Sequence, residues 1–433
     1  MTDRSHFIEE KRVEINPSTP VRVDAHCCST VKAEPGKTVL VIAAGLFQIP
    51  VIKAAKALGH HVIATDINPQ APGFAFADEH HIVSSRDMES MLTLARKLHK
   101  KRKIDAVLTM GTDVSHTVSR LTDEFGLPGI NYANSLYTSV NKKNMRYRLL
   151  EFNVPQPQFY EVSSLKQAQS VAGYIGYPVV LKPEDAMGAR GVIKVDTPDQ
   201  MEGAFAEAWE ASLNKQEILV EDFIPGDELS IDCLVYKGRI HILCIGDRLI
   251  RFPPYFVEIG HHVPSQLPAH MIEQAKEAMI KAIRAIGITN GAAKGDIKVN
   301  EHGAFVGEVA GRLSGGFMSS HTLPLSTGID AAGAAVQIAL GEKPDLTPKF
   351  HRASVERAFL PGPGRVKAIT GLEEGRAIPG VVDIHLNCKP GDILHPLKSN
   401  IGKAGNVITV GDTLQQAMGA ADLALVTVRF ETV

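Results

Sequence analysis

The run TVLVIAAG at residues 38–45 is apolar almost throughout and ends in glycine, and the helical pattern IPVIKAAKALG follows within a few residues. A strand without polar alternation is buried on both faces, and a helix placed straight after it returns across the sheet. This pairing restricts the N-terminal part of the chain to parallel α/β architecture. HHVIATD supplies a second strand, MESMLTLARKLHKK a helix, and IDAVLTMGTD (104–113) another strand. The spacing predicts a doubly wound, Rossmann-like domain over residues 37–135. Residues 1–36 carry no clear periodicity and are expected to be an N-terminal arm, flexible in part.

Near Asn141 the texture changes to KKNMRYRLLEFNVPQPQ, a basic helix broken by prolines. Short strands then alternate with helices up to about residue 350. In MIEQAKEAMIKAIRAIG, Ile272, Ala275, Met279, Ile283 and Ile286 recur at helical spacing and read as core. From residue 351 to 433, turn signals (PGPG, KPGD, VGD) separate β-rich segments before a final helix, LQQAMGAADLAL. This predicts a small closing domain. A chain of 433 residues exceeds one hydrophobic core, so several domains are expected.

The composition excludes several classes. A net charge of −2 without a long basic run leaves no electrostatic footprint for nucleic acid. No segment reaches the ~18 apolar residues of a membrane helix. The five cysteines (Cys27, Cys28, Cys233, Cys244 and Cys388) are odd in number and form no CxxC pair. They fit a reducing cytoplasm better than a disulfide framework. Two motifs mislead. PGKT at 35–38 lacks the glycine a P-loop needs at Val31 and precedes a strand rather than a helix. AAGLFQIP is not GxGxxG, which argues against a dinucleotide site despite Asp66.

Three stretches could carry chemistry. Asp296 and Glu308 flank IKVNEHGAFVG, a predicted hairpin. With the turn centred on His302, 296 pairs with 308 and 299 with 305, so the two acids face each other. Opposed carboxylates repel, and a divalent cation with oxygen ligands, most simply Mg²⁺, would offset them. A register slip of one would instead point the acids apart on a solvated hairpin. Arg312 adds a fixed cation nearby. In GYPVVLKPEDAMGARGV (176–192), a strand ends at Lys182 and a loop of small residues follows, suited to closing over phosphate oxygens. In EILVEDFIPGDELSID (217–232), Glu221 ends a strand and Glu228 begins the next. Read singly, the second and third stretches are equally ordinary loops and strands.

In this order the segments resemble the ATP-grasp superfamily over nearly the whole chain. The resemblance implies an ATP-grasp fold over 136–350, two α+β subdomains gripping ATP, with the parallel-sheet domain before it and the β-rich domain after it. It implies that Lys142 and Lys182 reach the nucleotide phosphates beneath a lid carrying Gly188 and Gly191. Lys142 is selected over Lys143 because Arg146 lies four residues on. Glu221 would face the adenine amino group, the backbone of Phe223 and Ile224 the ring edge, and Glu228 the ribose. Asp296 and Glu308 would hold one or two Mg²⁺ ions, with Mn²⁺ as a substitute, and Arg312 would steady an acyl phosphate. Many such proteins carry asparagine two residues after the second acid; here that residue is Ala310.

FVEIGHHVPSQLP and the ERAFLPGPGRVKAITGLEEGRAIPGV tail resemble the L-amino-acid ligase branch. Glu258, His261 and His262 would then lie near a carboxylate or amine substrate, with Ser314 and Gly315 in a backbone cradle. For His261 and His262, the local reading is a surface turn before Pro264. The resemblance implies an ADP-forming ligase joining a small carboxylate to an amine, with homodimers common among relatives, and the cysteine usage leads to the expectation of a cytoplasmic protein. Three other readings stay open: an enzyme activating bicarbonate, as carboxylases do, a ligase joining an acid to a thiol or hydroxyl, and a nucleotide-binding module without catalysis.

Overall fold

The computed structural model describes residues 36–433; the expected N-terminal arm, Cys27 and Cys28 lie outside them. The parallel strands are Thr38–Ile42, His61–Asp66, Ala106–Leu108 and an edge strand, Glu79–Ile82, whose polar sequence gave no apolar signal. Their spatial order places Thr38–Ile42 between His61–Asp66 and Ala106–Leu108, as a doubly wound sheet requires. Asp66 does not wait for a ribose. Its Oδ2 accepts the Ala44 N–H at 2.8 Å and pins the loop after the first strand.

A four-stranded antiparallel sheet follows, ordered Phe159–Val162, Ile218–Asp222, Val179–Pro183, Ile193–Val195. The largest sheet has eight strands. Gly303–Ala310, Gly291–Asn300, Asp227–Tyr236, Arg239–Arg251 and Val257–Val263 are succeeded by Ala353–Phe359, Gly405–Gly411 and Val381–Leu386. The last three strands belong to the segment expected to close the chain as a domain of its own. Ala353–Phe359 pairs directly with Val257–Val263, so the closing segment extends the preceding sheet. A separate three-stranded sheet and the helix Leu414–Thr427 complete it.

The helix Ala269–Ile286 ends at Gly287, whose φ of +81° suits a left-handed cap. It buries Ala275, Met279, Ala282, Ile283 and Ile286. Under it lies one face of Gly291–Asn300, formed by Ala293, Gly295, Ile297 and Val299. Each large apolar side chain so buried contributes roughly 1.5–3 kcal/mol. Side chains alternate along a strand, so Lys294, Asp296 and Lys298 point to the other side.

The hairpin register differs from the sequence reading in one respect. Val299 pairs with Ala304 rather than Phe305, because the turn centres between Glu301 and His302. A bulge at Gly307 then shifts the register by one, and Asp296 lies opposite Glu308 as expected.

Arg146, on the helix Lys142–Glu151, ties three elements together. Its guanidinium donates to both oxygens of Glu221 at 2.7 and 3.1 Å, to Val306 O at 2.8 Å and to Gly307 O at 2.7 Å. The smaller antiparallel sheet, the helix and the bulge beside Glu308 are thereby joined in a buried site. Burial works against the charge on Glu221, but Arg146 and Lys182 outweigh it and hold this carboxyl at about 2.

Two outcomes follow from this packing. A Cβ at Gly295 would collide with the buried sulfur of Met279, so Gly295→Val should lower unfolding free energy by about 1–3 kcal/mol in urea denaturation. Glu221 has a folded pKa of about 2 against 4.5 ordinarily, so its contribution is complete above the higher value and lost as pH falls through the lower one. The stability gap between wild type and Glu221→Gln should therefore be constant near neutral pH and shrink as the solution is acidified below 4.5.

Candidate active site

A cavity of about 800 Å³ opens between the two antiparallel sheets and the loops after the parallel strands Thr38–Ile42 and Ala106–Leu108. At one end, Asn141 caps the helix Lys142–Glu151 by accepting the Asn144 N–H at 2.8 Å. This fixes Lys142 at the first helical position. Its Nζ donates to Ala186 O at 2.6 Å and lies 3.3 Å from Glu308 Oε2. Lys182, at the end of Val179–Pro183, lies 2.6 Å from Glu221 Oε2. The loop between them and Ile193 turns through Gly188 and Gly191, at φ of +69° and +67°. Gly188 lines the cavity, whereas Gly191 packs behind it against Ala211.

Glu221, Phe223, Ile224 and Glu228 also line the cavity. Arg146 and Lys182 occupy three of the roughly four acceptor positions on Glu221. That carboxylate is therefore a brace between helix and sheet rather than a free acceptor for an adenine amino group. Glu228 is bound to Arg248 and lies 3.3 Å from Lys298.

Asp296 and Glu308 face the cavity from opposed strands. Burial holds the Asp296 carboxyl above its ordinary range, against the pull of Arg248 and Lys294. Burial opposes the charge on Glu308 too, yet Lys142 and Lys294 outweigh it and bring that carboxyl down to about 2. Asp296 Oδ1 is buried and lies 3.0 Å from the Arg248 guanidinium without a well-directed hydrogen bond. Two carboxylates opposed across a hairpin fit a divalent cation that takes oxygen ligands.

Arg312 follows the second acid and is oriented by Asp113, which it contacts at 2.7 Å from the loop after Ala106–Leu108. Ser314 N–H and Oγ both donate to Oδ1 of the fully buried Asp232, at 3.2 and 2.7 Å. The Ser314 N–H is thus spent, and a backbone cradle falls to Gly315 and Gly316, which line the cavity.

His261 and His262 lie in the strand Val257–Val263, not in a surface turn. Glu258 lines the cavity, with His261 behind it at 3.5 Å. His262 points to the opposite face of the strand, bound to Asp247 at 2.8 Å, and is not part of the cavity wall.

Several residues went unread in the sequence. Lys294 and Lys298 flank Asp296 at two-residue spacing, a signal that places all three on one strand face. Arg248 had no local signal. It contacts Glu228, Glu258 at 2.8 Å and Asp296 at 3.0 Å, all from other strands. Asn400 was equally silent. Its Oδ1 accepts the Glu258 N–H at 2.8 Å, while its own N–H donates to Gly188 O at 3.1 Å. It ties the closing segment to the glycine loop and to the cavity wall.

Comparison with known proteins gives three matches in sequence order. Residues 39–133 match the PylC-like N-terminal domain, 175–321 the ATP-grasp domain, and 357–433 the L-amino acid ligase C-terminal domain 2. An uncharacterised protein of Sinorhizobium fredii is 26% identical over 84% of this chain and 77% of its own length. An L-arginine-specific L-amino acid ligase of Bacillus subtilis is 24% identical over 75% of this chain and 80% of its own. The solved L-amino acid ligase of Bacillus licheniformis superposes with a TM-score of 0.80, covering 93% of this chain and 100% of that one at 22% identity. With these matches laid along two antiparallel sheets that enclose opposed acids and paired lysines, residues 175–321 form an ATP-grasp domain, in a chain similar along most of its length to L-amino acid ligases.

Proposed function

We propose that the protein is an ATP- and Mg²⁺-dependent ligase that activates a small carboxylate, an amino acid or related acid, as an acyl phosphate and joins it to an amine. The observation that carries this reading is that Asp296, Glu308, Lys142, Lys182 and Arg312 meet in one cavity. Its volume suits a nucleotide together with a small substrate. In this reading Asp296 and Glu308 hold Mg²⁺, which when bound neutralises phosphate charge.

The chain's own groups do the rest. Lys142 and Lys182 place positive charge where the γ-phosphate would lie, and phosphoryl transfer depends chiefly on such positioning and charge stabilisation. The substrate carboxylate oxygen bonds to the γ-phosphorus as the bond to the ADP oxygen breaks. An amine then attacks the acyl carbon, and phosphate leaves. Negative charge on the carbonyl oxygen in that step is met by Arg312, held in direction by Asp113, and by the N–H groups of Gly315 and Gly316.

Lys294 refines the metal count. It stands opposite Ala310 across the hairpin and pairs with Asp296. In this reading its ammonium supplies the positive charge that a second ion would bring, which accounts for the missing asparagine at 310 and leaves one Mg²⁺ per site.

Two measurements test these assignments. Arg312→Ala should lower turnover by about 10²–10³-fold with ATP affinity nearly unchanged, measured as phosphate release and nucleotide binding across a panel of amino acids offered in pairs. Product mass should equal acid plus amine less water; phosphate release with bicarbonate alone would overturn the ligase reading. Titration of the protein and a non-hydrolysable ATP analogue with Mn²⁺, followed by electron paramagnetic resonance, should give one protein-held ion per chain. Lys294→Ala combined with Ala310→Asn should raise this to two. Two ions in the wild type would remove the role given to Lys294.

A further inference from the structure

Behind the cavity wall, a second group of donors converges on a point away from the hairpin. Glu258 and His261 come from Val257–Val263, and Glu356 from the neighbouring Ala353–Phe359, where it is the register partner of His261. His261 Nδ1 lies 3.5 Å from Glu258 Oε1 and 3.4 Å from Glu356 Oε2. Donor atoms of the three residues lie within 4.8 Å of one another, and among the described residues no other group of three acidic, histidine or cysteine side chains is so placed.

His261 and Glu356 are each only 1% exposed. His261 Nδ1 and Glu356 Oε2 nevertheless make no hydrogen bond, although both are buried. Burying two such atoms without a hydrogen bond is unfavourable. One ring N–H cannot aim at two carboxylate oxygens on either side of it, and the carboxylates repel each other.

The outward-facing atoms of the same side chains are all occupied. Arg248 donates to Glu258 Oε2 at 2.8 Å, Asn406 donates to Glu356 Oε1, and Thr322 Oγ1 lies 2.7 Å from His261 Nε2. Partners of this kind fix the orientation of metal-ligating side chains. They leave one imidazole nitrogen and two carboxylate oxygens turned inward. Separations of 3.4–3.5 Å from the nitrogen to each oxygen are those between ligands of a tetrahedral ion with bonds of about 2.1 Å. A nitrogen with two carboxylates suits Zn²⁺ better than Mg²⁺, Ca²⁺ or Mn²⁺, which favour all-oxygen sites.

We infer that Glu258, His261 and Glu356 form a divalent transition-metal site, separate from Asp296 and Glu308, with Zn²⁺ as its best-fitting ion. Glu258 lines the cavity, so the vertex left open by the three ligands faces the cavity and can take water or a carboxylate oxygen. The metal site stands whether or not the ligase reading does.

The test uses the full-length protein stripped with chelator and reloaded with Zn²⁺, and in parallel with Co²⁺, without nucleotide or Mg²⁺. Bound metal is counted by elemental analysis, affinity is measured by calorimetry, and ligand geometry is read from the visible spectrum of the Co²⁺ form. One equivalent is expected in the wild type and also in Asp296→Asn combined with Glu308→Gln, with a four-coordinate Co²⁺ spectrum. Glu356→Gln and His261→Gln should weaken binding on the order of 100-fold or more, as should Glu258→Gln, which alters the more exposed cavity wall. Each variant is compared at matched thermal unfolding, which separates loss of a ligand from loss of fold. No bound metal in the wild type, or loss of metal in the Asp296/Glu308 variant with retention in the other three, would overturn the site.

Discussion

Arg248 is the charge on which the cavity depends. Its guanidinium contacts Glu228, Glu258 and Asp296, which come from three strands of the eight-stranded sheet. Burial disfavours every one of these charges, and removing one partner of a buried ion pair costs about 3–5 kcal/mol. Arg248 lies between the three acids and offsets their mutual repulsion, with Lys294 at Asp296 and Lys298 at Glu228 adding positive charge. Arg248 thereby links Glu228, Glu258 and Asp296 and sets their spacing. Arginine suits the position, since its planar fork reaches several acceptors at once and keeps its charge when buried.

A second level of organisation comes from the way the chain returns to its own sheet. Ala353–Phe359, Gly405–Gly411 and Val381–Leu386 prolong the sheet begun by the preceding domain. Backbone pairing of that kind holds the closing segment in fixed register, so its loops reach the cavity at defined points. Asn400 meets Gly188 and Glu258, and Asn406 meets Glu356. The glycine loop is thus braced from two sides, by Lys142 through Ala186 and by the closing segment through Gly188. Asp113 adds a third input, from the parallel-sheet domain, by orienting Arg312.

Local patterns foretold much of this. The apolar run at 38–45, the helix Ala269–Ile286 and the hairpin around NEHG were legible because burial periodicity and turn chemistry act within a few residues. Lys182 at a strand end and Lys142 after its asparagine cap were legible for the same reason. The edge strand Glu79–Ile82 was not, because pairing to one neighbour leaves a short strand without an apolar signature. The opposition of Asp296 and Glu308 was foreseen from a turn centre one half-step out of place. It survived because the bulge at Gly307 restores the shift. That agreement belongs partly to the structure, since no local rule announced the bulge.

The sequence by itself determined the elements, their order, the parallel-then-antiparallel class, and which charged residues stand at strand ends. Those features follow from interactions between near neighbours. Only the tertiary structure decided which charges share a space. Arg248 among three acids, Arg146 on Glu221, Asp113 on Arg312, and His262 facing away from His261 all depend on sheet register and on contacts between distant segments. The physical reason is that burial strengthens charge interactions and leaves little water to screen them. A shift of one residue in a strand would exchange each partner for its opposite face.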